Sequence, residues 1–156
     1  MKRILVKEVY KPHGTASVML PEDTLLEDVI ARFAHEPVLR GIFLVDSRQR
    51  LAGVITRMSL MKWVHFQLFG GRRTKTASPW EVFRFVSAAK AKDLSSRDWN
   101  SLAVRETDSL QTALERMIDH NEGVVPVIDT EGKILGDLRL PEVLLKALEV
   151  GKQATP

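Results

Sequence analysis

The chain of 156 residues has no cysteine. That excludes disulfides, zinc–thiolate sites and thiol nucleophiles. It also favours a reducing compartment, because small secreted domains usually carry disulfides. Long apolar runs are missing too. The longest, such as Ile42–Val45 and Val124–Ile128, fall far short of the ~20 residues that a spanning helix needs. Met1-Lys2-Arg3 has the basic character of a signal peptide's start, but only Ile4-Leu5-Val6 follows before Lys7-Glu8, so no apolar segment forms. The expected location is the cytoplasm, without membrane association. Aromatic residues are scarce, at 6%. Neither sign of charge dominates: 23 Lys and Arg face 20 Asp and Glu, for a net charge of +3. That balance does not by itself point to nucleic acid.

Catalytic signatures are absent as well. The sequence holds no Gly-rich phosphate loop of Walker or Rossmann type and no nucleophile elbow. The histidines His13, His35, His65 and His120 form no H-x-x-x-H or H-E-x-x-H pattern, so no metal site is expected. The reading is a protein that is not an enzyme and requires no cofactor.

What is present is a normal globular composition, with 44% hydrophobic and 28% charged residues. The length suits one compact domain or two small units sharing a core. An internal repeat organises it. Thr24-Leu25-Leu26-Glu27 opens a run with apolar Leu26, Val29, Ile30 and Phe33. Asp108-Ser109-Leu110-Gln111 opens a second run with Leu110, Ala113, Leu114 and Met117. Both have the spacing of one helix face, and both begin as a capping box, with Thr24 paired to Glu27 and Asp108 to Gln111. His35 and His120 fall near the ends of these helices, where a cation offsets the dipole.

The same punctuation follows each helix. Gly41-Ile42-Phe43-Leu44-Val45-Asp46 matches Val124-Val125-Pro126-Val127-Ile128-Asp129, a buried strand ending in a turn former. The turns Ser47–Arg50 and Thr130–Lys133 lead into Leu51-Ala52-Gly53-Val54-Ile55-Thr56 and Ile134-Leu135-Gly136-Asp137-Leu138-Arg139, so each pair of strands reads as a hairpin. Second helices start near Met58 and at Pro141, a residue suited to a first helical position. Lys7-Glu8-Val9 and Lys92-Asp93-Leu94 form matching lead-ins.

A β-α-β-β-α unit ending in an apolar strand, Asp, a turn, Gly, two apolar residues and Thr resembles the cystathionine-β-synthase (CBS) domain. Here Glu22–Phe33, Leu44-Val45-Asp46 and Gly53-Val54-Ile55-Thr56 carry the first copy. Glu106–Met117, Pro126-Val127-Ile128-Asp129 and Gly136 carry the second. The resemblance implies an α/β (α+β) fold of two β-α-β-β-α units packed as a pseudo-two-fold module. Unit 1 would span 1–69, a basic loop and inserted helix 70–91, unit 2 92–150, and a tail 151–156. It implies clefts that hold AMP, ADP, ATP or S-adenosylmethionine, a homodimer, and regulation of an unidentified protein partner in trans.

The family's ribose-and-phosphate signature is Gly, two apolar residues, Thr or Ser, two residues, then Asp. Unit 1 reads Gly53-Val54-Ile55-Thr56-Arg57-Met58-Ser59, with Ser59 at the Asp position. Unit 2 reads Gly136-Asp137-Leu138-Arg139-Leu140-Pro141-Glu142, with Arg139 for Thr and Glu142 at the Asp position. The candidate ligand-binding residues are therefore Thr56, Arg57, Ser59, Arg139 and Glu142, together with Ile42, Val125 and Pro126 on the paired strands. Thr56 serves equally as a helix N-cap, and Arg139 with Glu142 as an ion pair. Two readings stand at this point: a sensor of an adenosine nucleotide, or a ligand-free structural module that dimerises and docks a partner.

The insertion holds Gly70-Gly71-Arg72-Arg73-Thr74-Lys75-Thr76, then Ser78-Pro79-Trp80-Glu81, a capping box with Pro at N1. The helix it opens is expected to run to about Ala89. Trp63, Phe66, Trp80 and Phe83 are the expected core of a helical hairpin, or else a partner surface. The basic loop with Arg72, Arg73 and Lys75 supplies a third reading, contact with phosphate or nucleic acid. Against it stands the lack of any aromatic alternating with these cations, as a base-stacking platform requires, so nucleic acid is not the expected ligand.

Overall fold

The computed structural model describes residues 3–12, 17–36, 39–70, 78–96 and 98–154. Among these are seven strands: β1 Lys11–Pro12, β2 Ser17–Pro21, β3 Gly41–Val45, β4 Leu51–Ile55, β5 Val104–Arg105, β6 Val124–Ile128 and β7 Ile134–Arg139. Five helices accompany them: α1 Leu26–His35, α2 Arg57–Phe69, α3 Pro79–Ser87, α4 Leu110–His120 and α5 Leu140–Ala154. Three short 3₁₀ turns lie at Val6–Glu8, Ala91–Leu94 and Trp99–Ser101. The fold is α+β, two like units with a helix inserted between them.

The strands form two sheets. One has the order β2-β3-β4 and the other β1-β7-β6-β5. In each, the strand before the first helix runs parallel to the next strand, and a hairpin adds an antiparallel neighbour. The hairpin turns are built alike. Asp46 accepts from the amides of Arg48 and Arg50, and Asp129 from those of Glu131 and Lys133. These are Asx turns, in which the carboxylate replaces a backbone acceptor.

Strand β3 is buried on both faces. Ile42 and Leu44 pack with Leu26, Val29 and Ile55 beneath α1 and α2. Phe43 points the other way, into a core with Val125, Val127, Val104 and Leu138 of the second unit. A fully buried Phe contributes about 1.5–3 kcal/mol by area. Val6, Val9, Phe43, Leu51 and Val54 are unit 1's share of the core that joins the sheets.

The lead-ins are exchanged between the units. Strand β1 pairs with β7, Lys11 opposite Asp137 and Pro12 opposite Gly136. The lead-in of the second unit crosses in the opposite sense, where the Ser96 amide donates to Val54 O and the Val54 amide to Ser95 Oγ. The helix starts are tied the same way. The Leu26 amide donates to Ala89 O, and the Leu110 amide to Ile4 O.

This exchange moves both expected caps. Leu25, not Thr24, precedes α1, and Thr24 donates its hydroxyl to Pro21 O. Ser109, not Asp108, caps α4 by accepting from the Thr112 amide, while Asp108 accepts from the Arg105 amide. Both helices therefore begin one residue past the capping boxes read from sequence. Pro141 is the second residue of α5, one place later than expected. His35 and His120 are the last residues of α1 and α4.

In the insertion, the Ser78–Glu81 capping box forms, and α3 ends at Ser87, short of Ala89. Its inward aromatic is Phe85, which is buried and meets Phe66 at 5.8 Å between ring centres. Phe83 is 74% exposed, so the expected hairpin core is corrected there. The helix start places Phe85 on the face that meets α2, and Phe83, two residues away, on another face. Gly71, Arg72, Arg73, Thr74, Lys75 and Thr76 lie outside the described residues, as does His13.

Candidate functional site

A cavity of about 380 Å³ opens at the start of α2. It is lined by Thr56 and Ser59 from α2, by Ser95, Ser96 and Asp98 from the second unit's lead-in, and by His120 at the end of α4; Lys62, Glu81 and Arg84 also border it. Its volume lies in the usual range for small-molecule sites. Four separate segments converge there, and the lead-in of unit 2 reaches it because it is laid across the hairpin of unit 1. Gly53 permits that crossing: a Cβ there would stand 2.6 Å from Ser95 Oγ.

Thr56 is the N-cap of α2. Its Oγ1 accepts from the Ser59 amide at 3.1 Å and donates to Ser59 Oγ at 3.1 Å. The helix start adds the positive end of its dipole. Arg57 does not line this cavity. Its guanidinium donates to Asn121 O at 2.8 Å and lies 3.9 Å from Glu122. Burial raises the pKa of Glu122, and Arg57 works against that shift.

The cavity's cations have partners. Lys62 bonds Glu81 at 3.1 and 3.3 Å. Glu81 is held below its ordinary pKa, because the Ser78 amide and Lys62 outweigh the cost of its burial. Arg84 donates to Ser95 O and Lys92 O and lies over the Trp80 ring at 4.8 Å.

At the far wall Asp98 and His120 meet Ser101, which lies behind the lining, a grouping that sequence spacing does not reveal. Ser101 Oγ is 3.0 Å from His120 Nε2, and His120 Nδ1 is 3.6 Å from Asp98 Oδ2. The residue types are those of an activated serine, but the proton is elsewhere: Ser101 donates to Asp98 O at 2.7 Å. With that proton committed to the Asp98 carbonyl, Ser101 Oγ has none to give Nε2, the reverse of what a nucleophile needs, and the 3.6 Å between His120 and Asp98 exceeds hydrogen-bonding distance. The Ser96 hydroxyl, then the Asp98 backbone amide and His120, lower the pKa of Asp98 against the cost of its burial. Among the described residues, no group of three His, Asp or Glu is placed to hold a metal ion, and no helix is long and apolar enough to cross a membrane.

The pseudo-equivalent position in unit 2 is built differently. Arg139 stands where unit 1 has Thr56, and its Nη2 donates to Glu142 Oε1 at 2.7 Å. Its Nε lies 3.5 Å from Oδ1 of Asp137. Asp137, the counterpart of Val54, is completely buried, and its Oδ2 accepts from Ser17 Oγ at 2.7 Å. Burial raises its pKa, with Ser17 and Arg139 opposing. Sequence reading assigned Asp137 only to a strand, because nothing local shows that β1 covers it. The crossing is tighter than in unit 1: a Cβ on Gly136 would stand 2.3 Å from Lys11 O and 2.9 Å from Pro12 Cα.

The remaining candidates sit in the sheets. Ile42 is buried beneath α1 and α2. Val125 lies in the core between the sheets, and Pro126 is buried opposite Asp137. None of the three lines the cavity at α2.

The CBS domain family matches the chain twice, over residues 6–66 and 91–148. Nothing matches among curated proteins. Similar solved structures include a CBS-domain-containing protein from Thermotoga maritima, 27% identical, with 96% of this chain and 97% of that chain covered and a TM-score of 0.73. CBSX2, an Arabidopsis thaliana protein, solved in complex with AMP, is 20% identical, with 95% and 98% covered and a TM-score of 0.69. The CBS domain pair of MJ0100, in complex with 5′-methylthioadenosine and S-adenosylmethionine, is 16% identical, with 97% and 99% covered and a TM-score of 0.63.

Proposed function

The chain belongs to the CBS domain family as a tandem pair, and on that premise we propose that it is a regulatory module that senses an adenosine-containing ligand through the cavity at the start of α2. The observation that carries this reading is the convergence of Thr56, Ser59 and a helix N-terminus on a cavity of about 380 Å³. The adenosine ligands of two similar structures, AMP in one and 5′-methylthioadenosine with S-adenosylmethionine in the other, support it. AMP, ADP, ATP and S-adenosylmethionine are the probes. A ligand that binds only the folded chain raises its melting temperature. At least one probe should do so in wild type and none in a variant whose cavity is filled by Ser59→Trp. No shift with any probe at millimolar concentration removes the reading. The module acts on a protein partner in trans, in the cytoplasm.

A second reading is a ligand-free dimerisation module. It is favoured by Ser59, which supplies no carboxylate for ribose, and by Arg57, which is tied to Asn121 and Glu122. Apolar side chains stand exposed on α2 at Met61 and Leu68, on α3 at Phe83 and Val86, and on α5 at Leu144, Leu145 and Leu148. Both readings include a homodimer. Light scattering that finds only monomer at micromolar concentration removes it.

A further inference from the structure

We infer that only one of the two pseudo-equivalent clefts admits a ligand, because in unit 2 the chain's own Arg139 occupies the place that Thr56 leaves open in unit 1. This rests on the sensor reading and adds its stoichiometry, one ligand per chain. Thr56 is short, and the space beyond it is open. Arg139 is long, and its guanidinium is held between Glu142 at 2.7 Å and Asp137 at 3.5 Å. Glu142 is the carboxylate at the position suited to accept a ribose, and Arg139 already engages it. Asp137 is fully buried and further fixed by Ser17 from the other unit. A ligand entering this cleft would have to displace a cation from two carboxylates, leaving both without their counter-charge in a buried setting. No such displacement is needed at Thr56, whose hydroxyl bonds only within the first turn of α2.

Titration calorimetry with AMP, ATP and S-adenosylmethionine reads the stoichiometry. Wild type should bind one molecule per chain of whichever probe binds. The double substitution Thr56→Arg, Ser59→Glu, which copies the unit 2 pair into unit 1, should abolish that binding. Arg139→Thr with Glu142→Asp should raise the stoichiometry to two. Circular-dichroism melts show which variants fold, and the wild-type value decides the matter if either does not. Two molecules bound per wild-type chain would overturn this inference and leave the sensor reading intact. So would one molecule whose binding survives in the folded Thr56→Arg, Ser59→Glu variant. No binding of any probe to wild type would remove the sensor reading and this inference together.

Discussion

The two units share one plan and differ where each hairpin hands over to its second helix. In unit 1 that junction is small and uncharged, with Val54, Thr56 and Ser59, and the last two line a cavity beside α2. In unit 2 the same positions hold Asp137, Arg139 and Glu142; Arg139 bonds Glu142 and lies 3.5 Å from the Asp137 carboxylate. The backbone frame is nearly constant, down to the Asx turns and the exchanged lead-ins. Duplication of a fold therefore conserves the hydrogen-bonded scaffold, while a few side chains decide whether the space between scaffolds is open or filled.

The difference can be broken at its glycines first. At Gly136 the obstacle to a Cβ is backbone, Lys11 O and Pro12 Cα, which cannot rotate away. Gly136→Val should cost about 3 kcal/mol or more, and Gly53→Val, which meets mainly the Ser95 and Leu44 side chains, about 1–2 kcal/mol. Urea midpoints at constant slope measure both. Equal losses would show that the two crossings are equally tight.

Arg139→Ala comes next. It leaves the Asp137 carboxylate buried without its cation and should cost about 3 kcal/mol. Thr56→Ala, the matching change in unit 1, removes one helix cap and should cost about 1 kcal/mol. If Thr56→Ala proves the more damaging by urea denaturation, the junctions have been assigned the wrong way round.

The smallest expected effect is in pH dependence, and its sign differs between the junctions. Burial raises the pKa of Asp137. The stability from its protonated form is therefore fully present below the ordinary Asp value and is lost as pH rises through the raised one. Ser96 and His120 lower the pKa of Asp98, so its contribution is present above the ordinary value and is lost as pH falls through the lowered one. Measured from pH 7 downward, the stability of wild type relative to Asp137→Asn should rise, and relative to Asp98→Asn it should fall. Parallel curves for the two variants would contradict the opposed environments.

The sequence made the repeat legible because its signals are local. Apolar strands ending at Asp46 and Asp129, and helix faces such as Leu26-Val29-Ile30 and Leu110-Ala113-Leu114, need no knowledge of distant contacts. The caps were misplaced by one residue because Leu26 and Leu110 take their backbone partners from Ala89 and Ile4, far along the chain. Thr56 and Ser59 were readable as candidates because their motif is contiguous. Arg57 was read as facing a ligand, but the end of α4 lies within its reach. Asp137 gave no signal: in a sequence, a buried carboxylate looks like an exposed one until the strand that covers it is known. The grouping of Asp98, Ser101 and His120 was hidden for a related reason, since a 3₁₀ turn and a helix end meet only in three dimensions.

The exchange of lead-ins also bears on how the chain is made. Ser17 and Asp137 are 120 positions apart, and at ribosomal speeds of roughly 5–20 residues per second that interval lasts roughly 6–24 s. Throughout it, the segment that will complete the sheet of unit 2 has no sheet to join, and the first hairpin waits for Ser95 and Ser96 to cover it. Neither half is a finished folding unit during synthesis. The nascent chain must hold its early half without its final neighbours, and the last contacts to form are those that bind its beginning to its end.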